Sequence, residues 1–156
     1  MNTSLLGMEN SIFSGTYSIF KDDKMEFQTV SHQELSGSLL TSYRLDHVTF
    51  IDCTFYDVEF TDSIFSNCNF VNCKFSFVKM KNCKFTNCTF ENGDFLLTYS
   101  LACHFHQCSF SHMNYREGSA QNCLISKCHG EIANYFTMND SNQFYGMFAS
   151  ELSLAA

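Results

Sequence analysis

Cys53, Cys68, Cys73, Cys83, Cys88, Cys103, Cys108, Cys123 and Cys128 all stand three places after a multiple of five. Twelve of the eighteen phenylalanines stand on the multiples themselves: Phe20, Phe50, Phe55, Phe60, Phe65, Phe70, Phe75, Phe85, Phe90, Phe95, Phe105 and Phe110. A beat of five fits neither the period of a helix nor the alternation of a long strand. The chain must run extended for a few residues, turn, and do so again. Residues 66 to 90 show the unit: Ser-Asn-Cys-Asn-Phe, Val-Asn-Cys-Lys-Phe, Ser-Phe-Val-Lys-Met, Lys-Asn-Cys-Lys-Phe, Thr-Asn-Cys-Thr-Phe. A large apolar residue forms the centre, a small one stands two places earlier, and the residue between them is usually polar, so centre and small residue share one face of an extended segment. Two places after the centres come Asp52, Asp57, Asp62, Asn67, Asn72, Asn82, Asn87 and Asn92. These side chains tolerate left-handed backbone values and bond to nearby amides, which marks repeated corners. Four corners close a square.

Units of this kind resemble the pentapeptide-repeat family, which places a small residue two before a central Leu or Phe. The resemblance implies an all-β fold, a right-handed quadrilateral β-helix. From Ser38 to Tyr135 twenty successive units can be laid out, with Gly130 the weakest centre and Ser100 and Ala120 undersized. Four sides per coil then predict about five coils, with residues twenty apart stacked roughly 4.8 Å from each other. The expected core is Phe50, Phe55, Phe60, Phe65, Phe70, Phe75, Phe85, Phe90, Phe95, Phe105 and Phe110. Cys68, Cys88, Cys108 and Cys128 make one internal column, and Cys83, Cys103 and Cys123 another. The family more often has Leu at the centre and Ala two before it, a departure that changes packing volume and not topology.

The expected organisation is an N-terminal cap or lead-in over 1–37, the β-helix over 38–135 and a C-terminal cap over 136–156. Asp23, Gln28 and Gln33 would point inward in the same register, which disfavours further coils before Ser38. Phe20 falls on the beat outside the regular units. After Tyr135 the beat is lost, and Asp140 or Ser141 is a candidate cap for a short helix presenting Phe144, Met147, Phe148 and Leu152 on one side. Such a helix would cover the last coil or form a homodimer contact.

Nine cysteines bring metal or redox chemistry to mind, but the beat sends every thiol into a Phe-lined interior, where thiols are unreactive. Cys103, His104, His106 and Cys108 look like a ligand cluster, yet the register turns the two thiols inward and the two imidazoles outward. No Ser-His-Asp arrangement, phosphate-binding glycine loop or carboxylate pair stands out. The expectation is therefore a protein without catalytic residues, metal or cofactor. A net charge of −7 disfavours direct binding to nucleic acid. No apolar run approaches the length of a membrane span, and Met1 to Asn10 lacks the form of a secretory signal, so a cytoplasmic location is expected. Sequons occur at Asn2, Asn87 and Asn139.

A partner, expected to be another protein, would be read on the outward positions. Phe77 and Leu97 occupy equivalent corners where most units have Asn or Asp, and Leu96, Tyr99 and Leu101 lie near them. With Lys79 and Lys81 they form the candidate interaction surface. The alternative is a local bulge that tucks Leu97 or Tyr99 inward to replace the volume missing at Ser100. Charge is banded: Asp46, Asp52, Asp57, Glu59 and Asp62 precede a basic girdle of Lys74, Lys79, Lys81 and Lys84.

The leading function class is a non-enzymatic protein-interaction module. Resemblance to the fluoroquinolone-resistance members of the family implies a second class, a DNA-mimicking protein that binds or protects gyrase. The Phe- and Cys-rich units also look like the fourth luminal loop of the synaptic vesicle glycoprotein 2 transporters, which implies a third, a displayed or secreted recognition domain.

Overall fold

The computed structural model describes residues 23–131, 134–137 and 141–147. Short strands, nearly all of three residues, follow one another at the five-residue beat, and inner ones such as Asn69–Val71 pair in parallel with the strands twenty residues before and after. Four sheets result. The first face stacks seven strands, from Lys24–Glu26 through Arg44–Asp46, Ile64–Ser66, Lys84–Thr86, His104–His106 and Leu124–Ser126 to Gln143–Tyr145. The second face has six, from Thr29–Ser31 to His129–Gly130; the third, from Glu34–Ser36 to Asn114–Arg116, and the fourth, from Leu39–Thr41 to Ser119–Gln121, have five each. The molecule is a parallel β-solenoid of about six turns.

The turns are made by single residues. From Phe27 to Lys127, the residue two after each centre has positive φ, between 48° at Leu97 and 63° at Ser42. At most corners its N–H donates to a carbonyl of the next coil, as Asn67 does to Thr86 O at 2.9 Å, whereas Asn122 N–H donates to Ser141 Oγ at 2.8 Å. Asn and Asp at these corners add a side-chain ladder: Asn72 Nδ2 donates to Asp52 Oδ1 at 3.0 Å, Asn82 Nδ2 to Asp62 Oδ1, and Asn87 Nδ2 to Asn67 Oδ1 at 2.8 Å. A carboxylate can only accept, so aspartate suits the foot of such a ladder.

Inside, the centres of one face lie on each other. Phe70 stacks on Phe50 and Phe90 at 5.3 and 4.9 Å, and Phe85 on Phe65 and Phe105 at 4.5 and 4.8 Å, while neighbouring columns meet edge to face. Such offset and edge contacts add roughly 0.5–1.5 kcal/mol per pair beyond area burial. The small position two before each centre is also a donor position. Cys103 Sγ donates towards Met80 O at 3.2 Å and Leu101 O at 3.5 Å, and accepts Cys83 N–H at 3.4 Å. Ser63 and Thr98 use their hydroxyls in the same way. All nine cysteines are free and buried. Cys88, mid-column, has its thiol pushed up by hydrogen bonds with Cys108 and Cys68 and by burial.

Two boundaries differ from the sequence reading. The regular coils begin at Lys24 and not at Ser38, because Met25, Val30 and Leu35 are good buried centres and the inward position tolerates glutamine. Gln33 turns its Nε2 back to Ser31 O at 3.2 Å, although its Oε1 is buried without a partner. At the other end the helix lies earlier than expected. Residues Asn134–Thr137 form a single helical turn that buries Tyr135 and Phe136, whereas Gln143–Tyr145 is a strand on Leu124–Ser126. Asn142 fixes this cap: it accepts Cys123 N–H at 2.8 Å and donates to Ala120 O at 2.9 Å and Phe136 O at 2.6 Å. Gly130, the weak centre, has φ of +100°, and a Cβ there would collide with the Phe110 backbone, so the chain leaves the solenoid where only glycine fits. Phe20, Asp140, Phe148 and Leu152, with Asn2 and Asn139, lie outside the described residues.

Candidate interaction face

The undersized centres decide the shape of the fourth face. Ser100 and Ala120 cannot fill the interior, and the void is taken by Tyr135 from the C-terminal cap, whose hydroxyl lies 2.7 Å from Ser100 Oγ. Burial pushes the Tyr135 phenol up, and the Ser100 contact offsets part of that shift. No outward residue has to be drawn in. Leu97 keeps the regular corner geometry and Tyr99 and Leu101 stay on the outer surface, so the bulge is not formed.

What remains outside is an apolar patch that wraps the corner between the third and fourth faces. Phe77 is 45% exposed and Tyr56 48%, their rings edge to face at 5.6 Å; Tyr99 and Leu101 are each 41% exposed. Leu96 and Leu97 are half-buried beside them. Tyr99 lies back towards the corner, donating its hydroxyl to Glu117 O at 3.1 Å. Between Tyr99, Leu101 and the preceding rung runs a groove of about 160 Å³, lined by Lys79, Met80, Lys81, Ser119 and Gln121 as well. Lys81 Nζ bonds Glu59 Oε1 at 3.0 Å, and that hydrogen bond is the main reason the Glu59 carboxyl lies below its ordinary range. Lys79, an exposed residue at the groove, supplies cationic character to an otherwise apolar wall. Tyr56 and Leu39, both exposed, lie on strands and not at corners, and their signal in the sequence is a large apolar residue immediately beside a centre.

The other sequence candidates separate as the register demands. Cys103 and Cys108 are buried, while His104 and His106 face out from the first face. Phe50, Phe55, Phe60, Phe65, Phe70, Phe75, Phe85, Phe90, Phe95, Phe105 and Phe110 are all buried, as are Cys68, Cys83, Cys88 and Cys123. The acidic band circles the solenoid: Asp46 and Glu59 lie on the first and fourth faces, and Asp52, Asp57 and Asp62 at three corners of the same coil. Most of it is tied to the next coil, by Asn67 to Asp46, Asn72 to Asp52, Asn82 to Asp62 and Lys81 to Glu59. Among the described residues no helix is long and apolar enough to cross a membrane.

Four parallel sheets around a Phe core, with a left-handed residue at each corner, define a quadrilateral β-solenoid built from five-residue units. Residues 53–92 match the family model for pentapeptide repeats in eight copies, so this stretch of the chain carries pentapeptide repeats. Two trypsin-treated forms of QnrB1, a plasmid-mediated fluoroquinolone resistance protein, share the fold at TM-scores of 0.55 and 0.58 and 14% identity. The first match covers 88% of this chain and 91% of that one, the second 85% and 79%. HetL, a pentapeptide repeat protein involved in heterocyst differentiation regulation from the cyanobacterium Nostoc sp. strain PCC 7120, matches at TM-score 0.54 and 11% identity over 86% of this chain and 55% of its own. No curated protein matches the chain in sequence.

Proposed function

We propose that this protein is a non-enzymatic interaction module that binds another protein through the patch of Tyr56, Phe77, Leu97, Tyr99 and Leu101 and the adjoining lysine-rimmed groove. The observation that carries this reading is the exposure of Tyr56, Phe77, Tyr99 and Leu101 in a run from the third face across its corner to the fourth, the other exposed large apolar side chains among the described residues being Phe27, Leu39 and Tyr145. Phe77 and Leu97 hold corner conformations that suit Asn better, so their presence is not explained by folding. The matching partner offers an apolar side chain to the groove and a carboxylate to Lys79. The test is capture of partners from cell extract by the wild-type protein, by Phe77→Asn with Leu101→Ser, and by a Thr89→Ser control on the second face. A partner lost only by the patch variant supports the reading; a partner held equally by all three removes it.

Likeness in fold to a fluoroquinolone resistance protein raises a gyrase-directed reading. The charge layout speaks against it as a DNA mimic, since duplex DNA carries about one charge per 1.7 Å along its axis. Here five carboxylates share one coil and are mostly committed to ladder contacts. A gyrase supercoiling assay with and without a quinolone decides: any dose-dependent protection or inhibition would favour gyrase over the patch partner. The luminal-loop reading would use Asn87, whose amide is engaged with Asn67 at 2.8 Å.

A further inference from the structure

Each unit presents one outward side chain before its centre and one after it, so the strand His104–His106 turns both imidazoles off the first face. On the preceding rung the same columns hold Lys84 and Thr86, and on the following one Leu124 and Ser126. His104 Nε2 lies 3.1 Å and His106 Nδ1 lies 2.7 Å from the same atom, Ser126 Oγ, with the rings 5.8 Å apart. A hydroxyl has one proton and can donate to only one of the two nitrogens; the other must carry its own proton and donate to the oxygen. Two ring nitrogens thus converge on one point of the surface. Both rings are half-buried, whereas His32, His47, His112 and His129 are exposed.

We propose that His104, His106 and Ser126 form a surface binding site for a divalent transition metal ion of the Zn²⁺, Ni²⁺ and Cu²⁺ class. Imidazole nitrogen suits these ions, and the harder Mg²⁺ and Ca²⁺ find too few oxygens here. Two nitrogens coordinate, the Ser126 hydroxyl stays protonated beside them, and water fills the remaining positions. Whichever ring carries its proton on the nitrogen facing Ser126 moves that proton to its other ring nitrogen as it becomes a ligand, so a neutral pair releases no proton on binding. Among the described residues no third His, Cys, Asp or Glu joins the pair, which makes this an open, exchangeable site and not a closed structural one. Lys84, the charged group facing His104 from the preceding rung, opposes the ion.

The test is calorimetric titration of the full chain with NiCl₂ at pH 7.5, nickel being chosen because it does not oxidise the buried thiols. The wild type is expected to bind one saturable equivalent, lost in His104→Asn and in His106→Asn and retained in His112→Asn. Ser126→His adds a third imidazole and is expected to tighten binding by about tenfold or more, within the 10–100-fold range over which the surroundings of a metal tune affinity. Absence of saturable binding in the wild type, or binding unchanged in His104→Asn or in His106→Asn, overturns the site. If the asparagine variants lose their β-sheet circular dichroism, the Ser126→His result decides, and an unchanged affinity there overturns the proposal.

Discussion

Tyr135 ties the cap to the solenoid, and the contact can be taken apart one group at a time. Its ring fills the space left by Ser100 and Ala120, and its hydroxyl is the hydrogen-bond partner of a Ser100 side chain that is 1% exposed. Removing the ring by Tyr135→Ala should cost about 3–5 kcal/mol, as for other large buried aromatics. Removing only the oxygen by Tyr135→Phe leaves the Ser100 hydroxyl buried and unmatched, at about 1–3 kcal/mol. Adding Ser100→Ala to Tyr135→Phe takes away the orphaned group and should recover most of that loss, because a buried polar pair replaced on both sides approaches neutrality. The measurement is urea unfolding followed by far-ultraviolet circular dichroism on wild type, both single variants and the double. The cycle should give a coupling of at least about 0.5 kcal/mol, the lower end seen for groups in contact. Strict additivity, or a Tyr135→Phe protein as stable as wild type, would refute the Tyr135–Ser100 pairing, and a Tyr135→Ala protein as stable as wild type would refute Tyr135 as the filler of the fourth face.

Gly130→Ala forces a Cβ against the Phe110 backbone at a φ that L-residues avoid, and should lower stability by more than about 1 kcal/mol in the same unfolding assay. None of the nine thiols should react with a disulfide reagent within minutes under native conditions, all nine reacting after denaturation; one fast-reacting thiol would mean that a column opens. Leu97→Asn places a residue suited to the left-handed corner and should leave stability unchanged or raised by up to about 1 kcal/mol, while weakening the proposed partner; a large loss would assign Leu97 to the core. For His104 the folded pKa lies below the unfolded one, so the unfolded chain takes up the extra proton first. Its contribution is present above about pH 6.5, the unfolded value, and is lost as pH falls below it. The urea midpoint should therefore drop between pH 7.5 and 5.5 by less in His104→Asn than in wild type.

The beat made the strands, corners and inward columns legible, because each depends on residues within one unit: an extended triplet, a turn former and an apolar centre. What it left unread depends on residues far apart in the chain. The void at Ser100 was visible as a short side chain on the beat, but its filler comes from thirty-five places on, after the register has changed, and only the coordinates bring Tyr135 to it. The early start at Lys24 was obscured for another reason. Glutamine at Gln28 and Gln33 reads as a polar error when the position is judged by hydropathy, yet the small position also serves hydrogen bonding, as the thiols and hydroxyls above it show.

The same distinction separates the two surface features. The acidic band stands out in the sequence, and stacking turns Asp46, Asp52 and Asp62 into acceptors for asparagines of the next coil. Charge that is consumed in a ladder is a consequence of the fold. Phe77, Leu97, Tyr99 and Leu101 have no such use: Tyr135 fills the interior without them, and Asn fits the corners better than Phe or Leu. Phe77 and Leu97, which the fold neither needs nor prefers, repeat on neighbouring rungs of one corner and lie beside Tyr99 on the adjoining strand, and this is the strongest pointer on this molecule to a surface kept for a partner.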